Sequence, residues 1–223
     1  MTLFSSLMAA LCMCNPVSRA EDAPRQYQYD KNIALQAQLT PIPDKLPTQT
    51  ALRSRWNLVY TSANNEKVSA IYTLPAKGTA PFPAMVLLAG SGGHKDTDYV
   101  RIASDLFSTM GIATISIDAQ YHGDRSKPGK SGDIHQIGDP EMRDAWIQTV
   151  IDLRRAVDFL TTQPKVDARR IGYMGFSQGG MIGGTFIGVE PRIKAAILAI
   201  PGGGFIAEGK NRNLYTEKTT KTF

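Results

Sequence analysis

Gly175-Phe176-Ser177-Gln178-Gly179-Gly180 sets a serine between glycines two places to either side, directly after a short apolar run. A serine hydroxyl is a poor nucleophile, so a site that uses it covalently must expose it on a strained turn and bring a base within hydrogen-bond reach. Gly175 and Gly179 lack the Cβ atoms that would clash in so tight a strand-to-helix bend, and Gly180, Gly183 and Gly184 would let the next helix lie close to a sheet. A bare Gly-x-Ser-x-Gly match is common by chance, but one flanked by an expected strand and an expected helix is far more specific. Ser177 is therefore the candidate catalytic nucleophile. None of the residues after it is a histidine, so the usual base is missing from its usual side.

Attack on a carbonyl creates an oxyanion, and each preorganised N–H donor aimed at it is worth about 3 kcal/mol. The first candidate donor is the backbone N–H of Gln178, which opens the helix after the nucleophile. The second should come from the loop after an earlier strand, and Gly90-Ser91-Gly92-Gly93 follows the apolar run that ends at Ala89. Ser91 is the expected donor, with Gly92 next to it. These glycines do not form a phosphate-binding loop, because no Gly-x-x-x-x-Gly-Lys-Ser/Thr pattern is present. His94, His122 and His135 all precede Ser177. Surface or loop-bracing roles suit each of them better than a triad role, which depends on geometry, and none is taken as a site residue.

The elements around these motifs alternate. Trp56 to Thr61 and Val68 to Leu74 read as an N-terminal hairpin turned at Asn64-Asn65. Ala84 to Ala89 and Ile112 to Ile117 are continuous apolar runs, as expected for strands buried on both faces. Between them, Val100, Ile102, Ala103, Leu106 and Phe107 fall at helical spacing over 98 to 109. A second helix runs from about Pro140 to Leu160, with Asp139 as N-cap and one stripe of core residues from Met142 to Leu160. Strand 170–175 enters the serine turn, a Gly-rich helix follows from Gln178 to about Val189, and Ile193 to Ile200 is a last apolar strand. The expected fold class is α/β, a doubly wound, mostly parallel sheet with an antiparallel hairpin at its start.

Composition narrows the function classes. With 223 residues, 42% of them apolar and 20% charged, one domain is expected, and a net charge of +5 with scattered Lys and Arg makes no nucleic-acid footprint. Residues 3 to 14 are apolar but well short of the roughly 20 residues of a membrane span. With Ser18-Arg19-Ala20 they read as an export signal over 1–20, so the mature protein is expected in the periplasm or outside the cell. Cys12 and Cys14 both lie in that segment, which leaves a processed chain without thiol or disulfide. Four prolines make 21–50 an extended leader, 51–201 the domain, and 202–223 an irregular tail.

Taken together, the Gly90 to His94 loop, Asp118-Ala-Gln-Tyr-His122-Gly-Asp-Arg125-Ser, Val166-Asp167-Ala-Arg-Arg170-Ile-Gly and Gly175 to Gly180 resemble the α/β-hydrolase superfamily. Within it the chain is most similar to the dienelactone-hydrolase-like and acetyl-xylan-esterase-like serine esterases, over roughly Trp56 to Pro201. The resemblance implies a carboxylic-ester hydrolase that works through an acyl-enzyme on Ser177, without cofactor, on a small-molecule ester. It also implies that His122 is mainly structural, with Asp118 and Arg125 tying a loop to a strand end. The chain departs from the family in two respects. Ala89 stands where many relatives have a histidine, and the acid and histidine that follow later strands in the order serine, acid, histidine are missing. The expectations are an exported serine esterase shortened at its C-terminus or, alternatively, a non-catalytic α/β-hydrolase-like binding protein or inactive fragment; a partner chain that supplies the histidine is a third. Missing strands would leave a sheet edge uncovered and favour self-association.

Overall fold

The computed structural model describes residues 23–43, 52–127 and 140–202. The expected signal segment 1–20, with Cys12 and Cys14, lies outside the described residues, as do His135, Asp139 and the tail from 203 on.

A seven-stranded sheet in the order β1-β2-β3-β5-β4-β6-β7 carries the fold. Its strands are β1 (Gln38–Ile42), β2 (Arg53–Thr61), β3 (Lys67–Pro75), β4 (Phe82–Leu88), β5 (Ala113–Ile117), β6 (Val166–Phe176) and β7 (Ile193–Ala199). The helices are α1 (Asp98–Thr109), α2 (Pro140–Thr162) and α3 (Gln178–Val189). The expected hairpin is present: β2 and β3 pair antiparallel from Arg53 opposite Pro75 to Thr61 opposite Lys67. Its turn sets Asn64 and Asn65 at φ 57, a left-handed conformation that asparagine tolerates better than most residues. From β5 to β7 the pairing is parallel. The chain passes from β4 to β5 on one side and then returns to β6 on the other, so the C-terminal end of β4 lies where strand order reverses, the place where open α/β sheets form a ligand crevice.

Strand β4 is apolar along its whole length because both its faces are covered. Ala84, Val86 and Leu88 join the main core, whereas Met85 and Leu87 pack with Val100 of α1 on the opposite face. Helices α2 and α3 cover the main-core face, and fully buried side chains such as Phe159 and Phe186 contribute about 1.5–3 kcal/mol each. The stripe expected on α2 is buried throughout, except that Trp146 is only half-buried.

Two elements differ from expectation. On α1, Ile102 and Leu106 point outward, 65% and 59% exposed. The inward stripe is Val100, Ala103, Ser104 and Ser108, and its hydroxyls can be buried because they are satisfied. Ser104 Oγ pairs with Thr114 Oγ1 at 2.6 Å, and Ser108 Oγ donates to Ser104 O at 2.9 Å. Strand β7 is the second case, with most of its residues exposed because it is an edge strand.

The stretch read as an extended leader also does more than extend. Its Gln38–Ile42 strand pairs with β2, and Tyr27 and Leu35 pack on the core. Arg154 and Arg155 of α2 donate to Tyr27 O and Ile33 O, each at 2.6 Å, and Tyr29 donates to Asp158 at 2.9 Å. Burial, then the Asp158 charge beside it, pushes the Tyr29 hydroxyl up to about 12, so it keeps its proton and its hydrogen bond at neutral pH.

Candidate active site

Strand β6 ends at Phe176, and α3 begins at Gln178. The residue between them, Ser177, has φ 48 and ψ −114, a conformation that L-residues rarely adopt and that neighbouring structure must enforce. Ser177 N–H donates to Ala199 O of β7 at 2.9 Å, and Ser177 O accepts from Met181 N–H at 3.0 Å as α3 gets under way. The turn is locked by contacts that only glycine permits. A Cβ on Gly175 would sit 2.3 Å from Gly179 O, and one on Gly179 would sit 2.5 Å from Leu88 O. Tyr173, fully buried in β6, donates its hydroxyl to Gly179 O at 2.6 Å. Burial holds that phenol far above its usual range, which keeps it a donor.

The loop after β4 comes up against this turn. A Cβ on Gly90 would lie 3.2 Å from both Ser177 Cβ and Phe176 O. Gly93 N–H closes the turn on Gly90 O at 3.0 Å, and the Tyr99 hydroxyl of α1 accepts from Gly90 N–H at 3.0 Å while its ring packs on Phe176, 5.0 Å between centroids. Ser91 therefore follows a residue in contact with Ser177; it is exposed, and its N–H has no backbone partner among the described residues. Gln178 supplies the first N–H of α3, which has no acceptor within its own helix. The three residues expected to form the site lie on two adjoining turns, and Ser177 is half-exposed.

Asp118, fully buried at the end of β5, holds the Gly90 loop from below. It accepts from Lys95 N–H at 2.7 Å, Lys95 Nζ at 2.8 Å and Asp124 N–H at 2.9 Å. Lys95 also pairs with Asp124 at 2.7 Å. Burial lowers the affinity of Lys95 for its proton, but the hydrogen bonds and charges of Asp118 and Asp124 more than offset this and hold the ammonium above the usual lysine range. The hydrogen bonds from Lys95 and Ser69 keep the Asp124 carboxyl below its ordinary value. Gly123, at φ 53, makes the approach possible, since a Cβ there would sit 2.5 Å from the Asp118 carboxylate. Arg125 donates to Asp118 O at 3.1 Å and to Asp152 of α2 at 2.6 Å, and also bonds Gln120.

Neither described histidine hydrogen-bonds the serine. His94 is exposed, and its Nδ1 accepts from Asp96 N–H at 3.2 Å. His122 is buried with Nδ1 on Gln120 O at 2.9 Å. Among the described residues no side chain hydrogen-bonds the Ser177 hydroxyl. Lys95, Tyr99, Tyr173 and Asp152 are parts of the site that the sequence did not single out. Lys95 and Asp152 pair across 23 and 27 residues, and Tyr99 and Tyr173 bond backbone atoms nine and six residues away; no residue-type spacing announces any of these contacts.

The sequence model of the acetyl xylan esterase (AXE1) family matches residues 29–208. The Escherichia coli (strain K12) protein YcjY is 31% identical over 161 residues, 70% of this chain and 49% of that protein. Esterase FrsA of Serratia proteamaculans (strain 568) is 28% identical over 138 residues, 60% of this chain and 29% of that protein. The chain thus spans about half the length of these curated relatives, or less. Among solved structures, an acetyl xylan esterase from Paenibacillus sp. R4 superposes with a TM-score of 0.60 at 26% identity, over 84% of this chain and 66% of the other.

Proposed function

The chain belongs to the acetyl xylan esterase (AXE1) family of α/β-hydrolase esterases, and from that premise we propose that it hydrolyses small-molecule carboxylic esters through an acyl-enzyme on Ser177. The observation that carries this reading is the backbone of Ser177, held at φ 48 and ψ −114 between β6 and α3. Such strain is kept only where neighbouring structure over-determines it, and here it turns a hydroxyl out at the C-terminal rim of the sheet.

In the proposed reaction Ser177 Oγ attacks the ester carbonyl, and the N–H groups of Gln178 and Ser91 receive the developing oxyanion. The tetrahedral intermediate collapses with loss of the alcohol, which takes up the proton given up by the serine. Water then attacks the acyl-enzyme, releases the carboxylic acid and restores the hydroxyl. The proton transfers need a base that the described residues do not bring to Ser177, so it comes from residues outside those described or from a partner chain. Acetyl esters of carbohydrates are the first substrates to try, given the family description and the Paenibacillus enzyme. Self-association of two copies through the exposed edge strand β7 belongs to the same reading, supported by the exposure of Ile197, at 47%.

The absence of a described partner for the Ser177 hydroxyl favours a second reading, a protein that binds esters without turning them over. Hydrolysis of p-nitrophenyl acetate separates the two. The proposal expects a burst of p-nitrophenol followed by turnover, with Ser177→Ala lowering the rate by at least about 10³-fold. Binding of the ester with no release beyond that of the Ser177→Ala variant would establish the second reading.

A further inference from the structure

A cavity of ≈ 10 Å³ lies behind the serine turn, between the loop after β5, α2 and the start of α3; its walls include His122, Trp146, Thr149, Gln178, Met142 and Ile182. Its polar walls are unequal. The Thr149 hydroxyl is fully used, donating to Ala145 O at 2.8 Å and accepting from Gln120 N–H at 3.0 Å. His122 Nε2 and Trp146 Nε1 are different: both atoms are buried, and neither has a hydrogen-bond partner among the described residues. His122 as a whole is 6% exposed. Two orphaned ring nitrogens on residues that line one cavity are unusual, since buried polar atoms are nearly always satisfied by protein or ordered water.

The chemistry of the two nitrogens fixes what would satisfy both. Gln120 O can only accept, so His122 Nδ1 carries the hydrogen of the 2.9 Å contact, and in the neutral ring Nε2 is left as an acceptor. Trp146 Nε1–H can only donate. A single occupant that met both would donate to His122 and accept from Trp146. A hydroxyl does both, whereas a carboxylate or phosphate could not donate and an ammonium could not accept. The volume matches roughly one water.

We propose that this cavity is a binding site for a single water molecule, which donates to His122 Nε2, accepts from Trp146 Nε1–H, and joins the loop after β5 to α2 directly beside Gln178. The inference stands apart from the esterase reading and holds whether or not the chain turns over esters.

High-resolution crystallography of the full chain tests it, together with ¹⁵N NMR of the His122 ring and water-exchange spectroscopy of the Trp146 indole. The expected result is one ordered water within about 2.7–3.2 Å of both nitrogens, Nδ1–H as the form of the neutral ring, and a water cross-peak to the indole proton. In Trp146→Phe the water density should weaken or vanish. Density showing either nitrogen bonded to a protein group, a dry cavity, or the Nε2–H tautomer would overturn the proposal. If Trp146→Phe does not fold, the measurements on the unaltered chain decide it alone.

Discussion

Added at Gly179, a methyl group would meet Leu88 O at 2.5 Å and Ala89 O at 2.6 Å, backbone atoms of a central strand that cannot swing aside. Added at Gly184 in the same helix, it would meet nothing within 4 Å. Alanine is a better helix former than glycine by about 1 kcal/mol, so the two substitutions should part in sign. Gly184→Ala is expected to raise stability by about 0.5–1 kcal/mol, whereas overpacking makes Gly179→Ala destabilising by about 1–3 kcal/mol, both read from urea denaturation. The glycines flanking Ser177 were legible in the sequence because a strained bend demands them at fixed offsets. Tyr99 and Tyr173 were not, since nothing about an isolated tyrosine says that its hydroxyl will turn back on the backbone of Gly90 or Gly179.

Between elements, the Lys95 clamp decides how firmly the Gly90 loop sits on β5. Lys95 holds its proton more tightly in the folded chain, so its contribution is full below about pH 10 and fades as pH rises through its raised value. Asp124 is held below its unfolded value, so its share is full above about pH 4 and fades as pH falls through its lowered value. Lys95→Met should thus lower the melting temperature most between about pH 4 and 10, with the gap to the unaltered chain closing below that window. Leaving Asp118 without its buried cation is expected to cost about 3 kcal/mol or more near neutrality. A constant gap from pH 3 to 8 would show that the pair does not hold the loop. The sequence pointed to Asp118 and Arg125 through a familiar motif and passed over Lys95, whose partners are supplied by topology. It also misassigned the face of α1: apolar spacing alone gave Ile102 and Leu106 the same standing as Val100, and only the sheet's position selects which side is covered.

Over the whole molecule, strand and helix order was readable because each element carries its own period, and the parallel half of the sheet follows from continuous apolar strands. Attachment of the N-terminal stretch was not readable. It depends on Arg154 and Arg155 reaching carbonyls more than a hundred residues away, and prolines in that stretch suggested only that it is extended. The open edge at β7 gives the molecule-scale prediction. Sedimentation velocity should show concentration-dependent association, reduced in Ile197→Lys while stability changes by no more than about 0.5 kcal/mol. A monomer at every concentration would remove the edge as a contact.

If the turn at Ser177 presents an activated nucleophile, the folded 223-residue chain should react with a fluorophosphonate, and peptide mass spectrometry should locate the adduct. One phosphonyl group on Ser177 is expected, with none on the folded Ser177→Ala variant. An unmodified Ser177 in the folded chain, or equal labelling of Ser177→Ala, would contradict it.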